Sequence, residues 1–385
     1  MPDNTTEKRI IFLHIGQPKT GTSSIQKYCE SNSHLLAKQG LIYELMPFVY
    51  NRTGQRRNAH FLATGVPDDQ NSKKAEKRRK IKDAQIKQGL AIVEEQLTRG
   101  NVLLTDERLW NYLAPYDYDA LHIMLDFAAE HNAVLKVIVY LRAQDAWIAS
   151  LYHQNIRAGR VTTRWNDYIN NVPDTTQLNY DKACRELAEL VGRENLIVRV
   201  YDRAQFPDGR VESDFMKALG IEITDEFVTP KEETNASLTN NYAEMTRIMN
   251  PLIQQKGVTE ADGRIFEFSA VYCSKKFGEQ KKTNLLTPEQ KKMLEEKYGE
   301  SNRILNEEFL NGMELSFKPQ KDLPVWEPDN ETRYEETMLF LGRILLQQQQ
   351  RISELEKLIY DRTGFKGFLR SIKRGIKNLF KKDSK

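Results

Sequence analysis

Apolar and polar positions along the chain alternate between two rhythms. Residues 10–15 form an apolar, β-branched run broken only by His14, which predicts a buried strand ending at Gly16. After a Gly/Pro/Thr turn, Ile25, Tyr28, Cys29, Leu35 and Leu36 recur at helical spacing. The exchange repeats downstream. Strand patterns fall at 40–43, 101–105, 135–140 and 196–202. Helical patterns fall among them: Ile86, Leu90, Val93 and Leu97; Ile148, Leu151, Tyr152 and Ile156; and 214–221, closed by Gly220. A long helical region opens at 235–238, and another helix begins near Pro288. Buried strands separated by helices imply an α/β fold, a parallel sheet flanked by helices.

The end of the chain reads differently. Residues 319–328 are a proline-rich linker. Beyond it Leu341, Leu345, Ile352, Leu355 and Ile359 keep 3–4 spacing, with Gln348 the one polar interruption. Two readings of 338–359 stand: a short coiled coil for self-association, or a helix packed back on the body. Residues 364–382 place Phe365, Phe368, Leu369, Ile372 and Ile376 on one helical face and lysines and arginines on the other. That is the pattern of a helix lying on an anionic membrane, with a partner-binding helix as its rival. The expected organisation is a body over 1–318, a linker over 319–330, a helical segment over 331–361 and a basic tail over 362–385.

The chain has 385 residues, 39% hydrophobic, enough for a large core. Its three cysteines, Cys29, Cys184 and Cys273, are isolated and lack metal-ligand spacing, so they read as reduced thiols. No apolar stretch nears the roughly 20 residues of a membrane span, and the first strand is too short and early for a signal peptide. A cytoplasmic body, peripheral on the inner face of the membrane through its tail, is expected. Net charge is +3, but residues 362–385 hold nine Lys/Arg against one Asp, so the remainder is net negative. The body gives no nucleic-acid signal. The run Lys73–Lys82 reads as a solvated helix face, with contact to an acidic glycan as the alternative.

Candidate chemistry concentrates at the turn after the first strand. Strand, glycine turn and helix make an anion cradle, because turn amides and the N–H groups of a first helical turn converge. Gly16, Gly21 and Ser23 match the G-x-x-x-x-G-K-[ST] spacing, but Thr22 occupies the lysine position. The loop's cation is Lys19, three residues earlier, which argues against ordinary ATP or GTP chemistry. The plainer alternative is a Ser/Thr-capped helix start. Asp106 and Glu107 follow the 101–105 strand. Asp106 reads either as a magnesium ligand or as a helix N-cap, and Glu107 either as a general base or as a residue favoured by the helix dipole. Arg142 closes the 135–140 strand. Ser150 sits about 200° round the following helix from Ile148, off the buried stripe.

The segment 18–24 resembles the 5′-phosphosulfate loop of sulfotransferases that use 3′-phosphoadenosine 5′-phosphosulfate (PAPS). Residues 141–154 are similar to that family's 3′-phosphate segment, where an arginine closes a strand and a serine follows eight residues later. The resemblance covers roughly 8–315 and is specific at those two places. It implies a P-loop NTPase-like fold and sulfuryl transfer, here to a carbohydrate hydroxyl as in bacterial members acting on surface polysaccharides or glycolipids. It further implies Lys19 on the sulfate side and Thr20, Gly21, Thr22, Ser23 and Ser24 on the 5′-phosphate. Arg142 and Ser150 would take the 3′-phosphate, each charge-assisted bond worth on the order of 1.5–3 kcal/mol. The product is PAP, 3′-phosphoadenosine 5′-phosphate. Glu107 is the first choice of base and His60, in the basic loop 52–60, the second; no metal is called for. Lys281 and Lys282 lie where the family has a closing basic loop, but its Lys/Gly/Arg pattern is absent. The rival readings are a P-loop kinase with Asp106 on magnesium, and a membrane-recruited nucleotide-binding scaffold without turnover.

Overall fold

The structure is a computed structural model that describes residues 8–48, 57–63, 73–112, 118–173, 175–230, 238–255, 260–277, 283–319, 321–330 and 332–363. The strands β1 (Arg9–His14), β2 (Leu41–Ile42), β3 (Asn101–Thr105), β4 (Ala133–Leu141) and β5 (Leu196–Val200) form one parallel sheet in the order β2-β3-β1-β4-β5. Every strand pattern read from the sequence is present. The second is trimmed to two residues, because Gly40 (φ +79°) is a turn whose carbonyl accepts the Asn101 N–H at 2.8 Å.

The first helices of the described residues are α1 (Thr22–Ser31), α2 (Ser33–Lys38), α3 (Lys73–Arg99), α4 (Leu109–Tyr112), α5 (Asp119–Glu130), α6 (Gln144–Arg157) and α7 (Trp165–Asn170). They are followed by α8 (Tyr180–Val191), α9 (Val211–Leu219), α10 (Asn240–Ile253), α11 (Glu260–Phe277), α12 (Pro288–Phe309) and α13 (Thr332–Thr363). Strand side chains alternate between faces, and both faces of this sheet are covered. Ile11 and Leu13 join α3, α5, α8 and α12 in one apolar cluster; Phe12 joins α1 and α9 in another.

Central β1 pairs with β3 on one side and β4 on the other, Leu13 lying opposite Leu104 and Val137. From β1 the chain runs to the edge strand β2, returns to β3 between them, and then crosses to β4 and β5 on the other side, so the connections leaving β1 and β4 diverge at the β1/β4 boundary. Open α/β sheets bind ligands at the carboxyl ends of strands at such a boundary. The turns after β1, β3, β4 and β5 hold Gly16, Asp106, Arg142 and Tyr201, all at that edge.

His14, the last residue of β1, is fully buried, with Nδ1 3.0 Å from Thr105 Oγ1 and its ring against Tyr140 and Phe215. Burial pushes its pKa down to about 3. Below pH 6.5 the unfolded chain therefore takes up a proton that the folded chain refuses, and stability falls by roughly 1.4 kcal/mol per pH unit towards pH 3. Urea unfolding at pH 6.5 and 5.5 measures this slope, and His14→Gln is expected to flatten it; an unchanged slope in the variant contradicts the assignment.

Compact packing does not follow the linear division at residue 318. One unit comprises 1–151, 165–235 and 286–320; the other comprises 152–164, 236–285 and 321–385. In the second unit α13 packs on α10 and α11, which draws residues 236–285 out of the body expected from sequence. The described part of the proline-rich stretch is pinned there. The Trp326 N–H donates to the Asn284 carbonyl at 2.7 Å, and its indole N–H donates to Asn241 Oδ1 at 2.7 Å. On α13, Phe340 and Glu336 are buried, whereas Leu345 is 70% exposed. The basic stripe at 364–382, Lys281 and Lys282 lie outside the described residues. No helix among the described residues is long and apolar enough to cross a membrane.

Candidate active site

The loop between β1 and α1 is a tight turn built on unusual backbone. Gly16 and Gly21 have φ of +50° and +80°. A Cβ on Gly21 would lie 2.9 Å from Tyr201 Cε2, and one on Gly16 would lie 2.7 Å from Thr22 Cγ2, so neither position has room for a side chain. Between them Lys19 also adopts a positive φ of 72°, a conformation costing a residue with a Cβ roughly 1–2 kcal/mol. Its side chain is exposed. The flanking residues hold the turn. Trp147 Nε1 donates to the Pro18 carbonyl at 2.8 Å, and the Thr20 hydroxyl donates to the Gln17 carbonyl at 2.5 Å. Gly21 starts α1, and no side chain caps that start. Uncapped first-turn amides below a glycine turn favour an anion.

The loop hydroxyls divide. That of Thr20 is spent within the loop, and that of Ser24 donates to the Glu212 carboxylate at the start of α9. Thr22 is buried. Ser23 is exposed. Of the four hydroxyls expected on a phosphate, those of Thr20 and Ser24 are bonded here to the Gln17 carbonyl and to Glu212, and that of Thr22 to Glu107.

Arg142, the first residue after β4, reaches the same loop, with Nη1 3.4 Å from the Lys19 carbonyl. Its guanidinium lies 5.8 Å from the centre of the Tyr201 ring. Partial burial pushes its pKa down, which is to say that the cation is incompletely solvated. Among the described residues no carboxylate lies within 4 Å of it. The two loops are also fastened through their backbones. Gln17 Nε2 donates to the Tyr180 hydroxyl at 2.8 Å, that hydroxyl donates to the Arg142 carbonyl at 2.8 Å, and Gln17 Oε1 accepts the Arg142 N–H at 3.0 Å. Ser150 is partly buried on α6, eight residues further on.

After β3, Asp106 has both oxygens committed. Oδ1 accepts the Arg108 N–H at 2.8 Å, and Oδ2 accepts from His60 Nδ1 at 2.5 Å. Of its two sequence readings this is the capping geometry, extended by a histidine partner. Glu107 packs beneath the turn, its Cβ 3.1 Å from where a Gly16 side chain would begin. Its Oε1 pairs with Arg57, and its buried Oε2 has no hydrogen-bond partner among the described residues. Burial pushes the Glu107 carboxyl above the usual carboxylate range; Arg57 opposes this and Asp106 adds to it.

No family model matches the chain. It is 29% identical over 236 residues to an uncharacterized protein of Archaeoglobus fulgidus, which is 57% of this chain and 61% of that one. The match thus spans about three-fifths of the relative's length. Among solved structures it is similar to a sulfotransferase from Alicyclobacillus acidocaldarius, at 18% identity and TM-score 0.33 over 66% of this chain and 99% of that one. It is likewise similar to the sulfotransferase domain from the curacin biosynthetic pathway, at 10% identity and TM-score 0.33 over 76% of this chain and 98% of that one.

Lys19, residues 20–24, Glu107 and Arg142 follow the carboxyl ends of β1, β3 and β4 at one sheet edge, while His60 is bonded to Asp106. Sequence reasoning missed Gln17, Trp147, Tyr180, Tyr201, Arg57 and Glu212. The glutamine, lying inside the loop motif, was the one with a local signal.

Proposed function

We propose that the chain transfers a sulfuryl group from PAPS to a hydroxyl, with a carbohydrate as the acceptor class. The observation that carries this reading is Arg142: a partly desolvated guanidinium, in the field of Asp145 but with no carboxylate within 4 Å among the described residues, held against the loop that bears Lys19. A cation so placed favours an anionic ligand, and its planar fork suits a phosphate. The residues fit a nucleotide carrying phosphate at two places, because the glycine cradle at α1 supplies amides for one and Arg142 supplies donors for the other.

PAPS brings an activated sulfuryl group whose bridging S–O bond breaks as the acceptor oxygen bonds to sulfur, leaving PAP. The protein's part is positioning and charge stabilisation. Residues 20–24 grip the 5′-phosphate through backbone N–H groups, with the Ser23 hydroxyl added. Arg142 and Ser150 take the 3′-phosphate. Lys19 faces the negative charge that grows on the bridging oxygen. Glu107 takes the acceptor proton on Oε2, the oxygen that Arg57 leaves unpaired. The basic stripe at 364–382 supports attachment to an anionic surface as part of the same proposal.

A kinase reading fares worse, because both Asp106 oxygens are already taken by hydrogen-bond donors. The test is thermal melting without magnesium. Saturating PAP is expected to raise the midpoint by several degrees, as roughly 2–3 kcal/mol of linked binding does at about 100 times Kd. ATP and AMP are expected to shift it far less; equal shifts by all three contradict the proposal.

A base whose carboxyl is raised by burial loses its proton at higher pH than an ordinary glutamate. Activity is therefore expected to fall on acidification while the pH is still above the usual carboxylate range. Glu107→Gln is expected to lose about 10²–10⁴-fold in kcat together with that acidic limb. If the limb survives in Glu107→Gln and disappears in His60→Gln, the base is His60.

A further inference from the structure

The 32-residue helix α13 carries two apolar faces, and among the described residues only one of them has a partner. Glu336 and Phe340 are buried against α10 and α11. On the same side Glu336 accepts from Asn241 at 2.6 Å, and the Arg343 guanidinium lies 4.5 Å from the centre of the Tyr272 ring. The second face lies about 150° round the helix and is unpartnered among the described residues: Met338, Leu341, Leu345, Ile352 and Leu355 are 40–70% exposed. Their spacing is a strict 3.5-residue repeat, with a positions at 338, 345, 352 and 359 and d positions at 334, 341, 348 and 355. A 3.5-residue repeat is the geometry of a second strand wound around the first; Leu339, Leu346 and Leu358, also exposed, lie beside this seam. From Gln348 to Leu358 every residue is exposed, so this stretch finds no packing among the described residues of one copy. A helical stretch of about a dozen residues is marginal alone in water.

We infer that α13 pairs with α13 of a second copy as a parallel, in-register, two-stranded coiled coil over 334–359. Charge sets the direction. In a parallel pair the g residue Arg351 of each strand meets the e residue Glu356 of its partner strand, giving two symmetric ion pairs. In an antiparallel pair of full overlap g residues meet g residues, so Arg351 instead faces Ile344, and it forms no charge pair. The last two heptads place Ile352 and Ile359 at a, with Leu355 at d, the combination that favours two parallel strands. Gln348, the polar d residue, meets its own counterpart only in register and so penalises slipped pairings. A parallel pair also delivers both copies of the basic 362–385 segment at one end, where two weak anionic contacts reinforce each other.

Sedimentation of the full chain at micromolar concentration is expected to give twice 44.8 kDa. Leu345→Lys with Ile352→Lys, both exposed in the single copy, is expected to give a monomer with unchanged thermal response to PAP. Arg351→Glu is expected to raise the dimer dissociation constant about tenfold, and Arg351→Glu with Glu356→Arg to restore it. Leu355→Cys is expected to form an interchain disulfide under mild oxidation. A monomeric full chain overturns the inference, as does a dimer that the seam lysines leave intact. A dimer in which Leu355→Cys fails to cross-link overturns its parallel register.

Discussion

Replacing Lys19 by Ala is expected to cut kcat by about a hundred- to a thousandfold, the usual cost of losing one positioned donor to a developing oxyanion. PAP should still bind, because the amides of residues 20–24 and the Arg142 guanidinium remain. The case rests on the backbone. Lys19 keeps an unfavourable positive φ of 72° in a turn clamped on either side by Trp147 and by the Thr20 hydroxyl. Strain retained in so well fixed a loop points to use of the side chain rather than to folding. Lys19→Gly provides the control. It relieves roughly 1–2 kcal/mol of strain and costs about 0.5–1 in unfolded-chain entropy, so it should melt no lower than the parent while losing the same turnover. Steady-state rates with each variant, beside calorimetric PAP binding, check this. A glycine variant that retains turnover removes Lys19 from the mechanism.

Arg142→Ala is expected to erase discrimination between PAP and AMP. A charged hydrogen bond to phosphate is worth about 1.5–3 kcal/mol, so the Kd for PAP should rise roughly 10- to 150-fold. AMP, lacking the 3′-phosphate, should change little. The substitution is clean because Arg142 fastens the two loops through its backbone N–H and carbonyl, to Gln17 and Tyr180, and alanine keeps both. The side chain gives the Lys19 carbonyl only a long 3.4 Å contact. Titration of both nucleotides into both proteins measures the effect. Equal losses for PAP and AMP would mean that the arginine serves the loop and not the ligand.

The parts of this architecture that were legible in the sequence are local ones. A glycine turn between an apolar run and a helical stripe announces β1, its loop and α1, because the backbone conformations at Gly16 and Gly21 have residue-level signatures. Gly220, at φ +73°, closes α9 as expected, although α9 begins at Val211, three residues earlier than its pattern indicated. The parts that were not legible are long-range pairings. His60 reaches Asp106 across 46 residues, and Tyr180 reaches Gln17 across 163; no spacing rule connects them. The family resemblance implied Ser24 as a phosphate ligand; its hydroxyl bonds here to Glu212, 188 residues away, a pairing no spacing announces. The 236–285 segment carries ordinary helical patterning, and whether such helices join the sheet or α13 depends on tertiary packing alone.

The central claim is that one crevice at the β1/β4 boundary holds both phosphates of a single nucleotide. A crystal structure of the chain grown with PAP tests it most directly. The account predicts the 5′-phosphate on the amides of residues 20–24 and the 3′-phosphate on the Arg142 guanidinium. PAP bound with Arg142 turned away from either phosphate, or bound elsewhere on the protein, contradicts it.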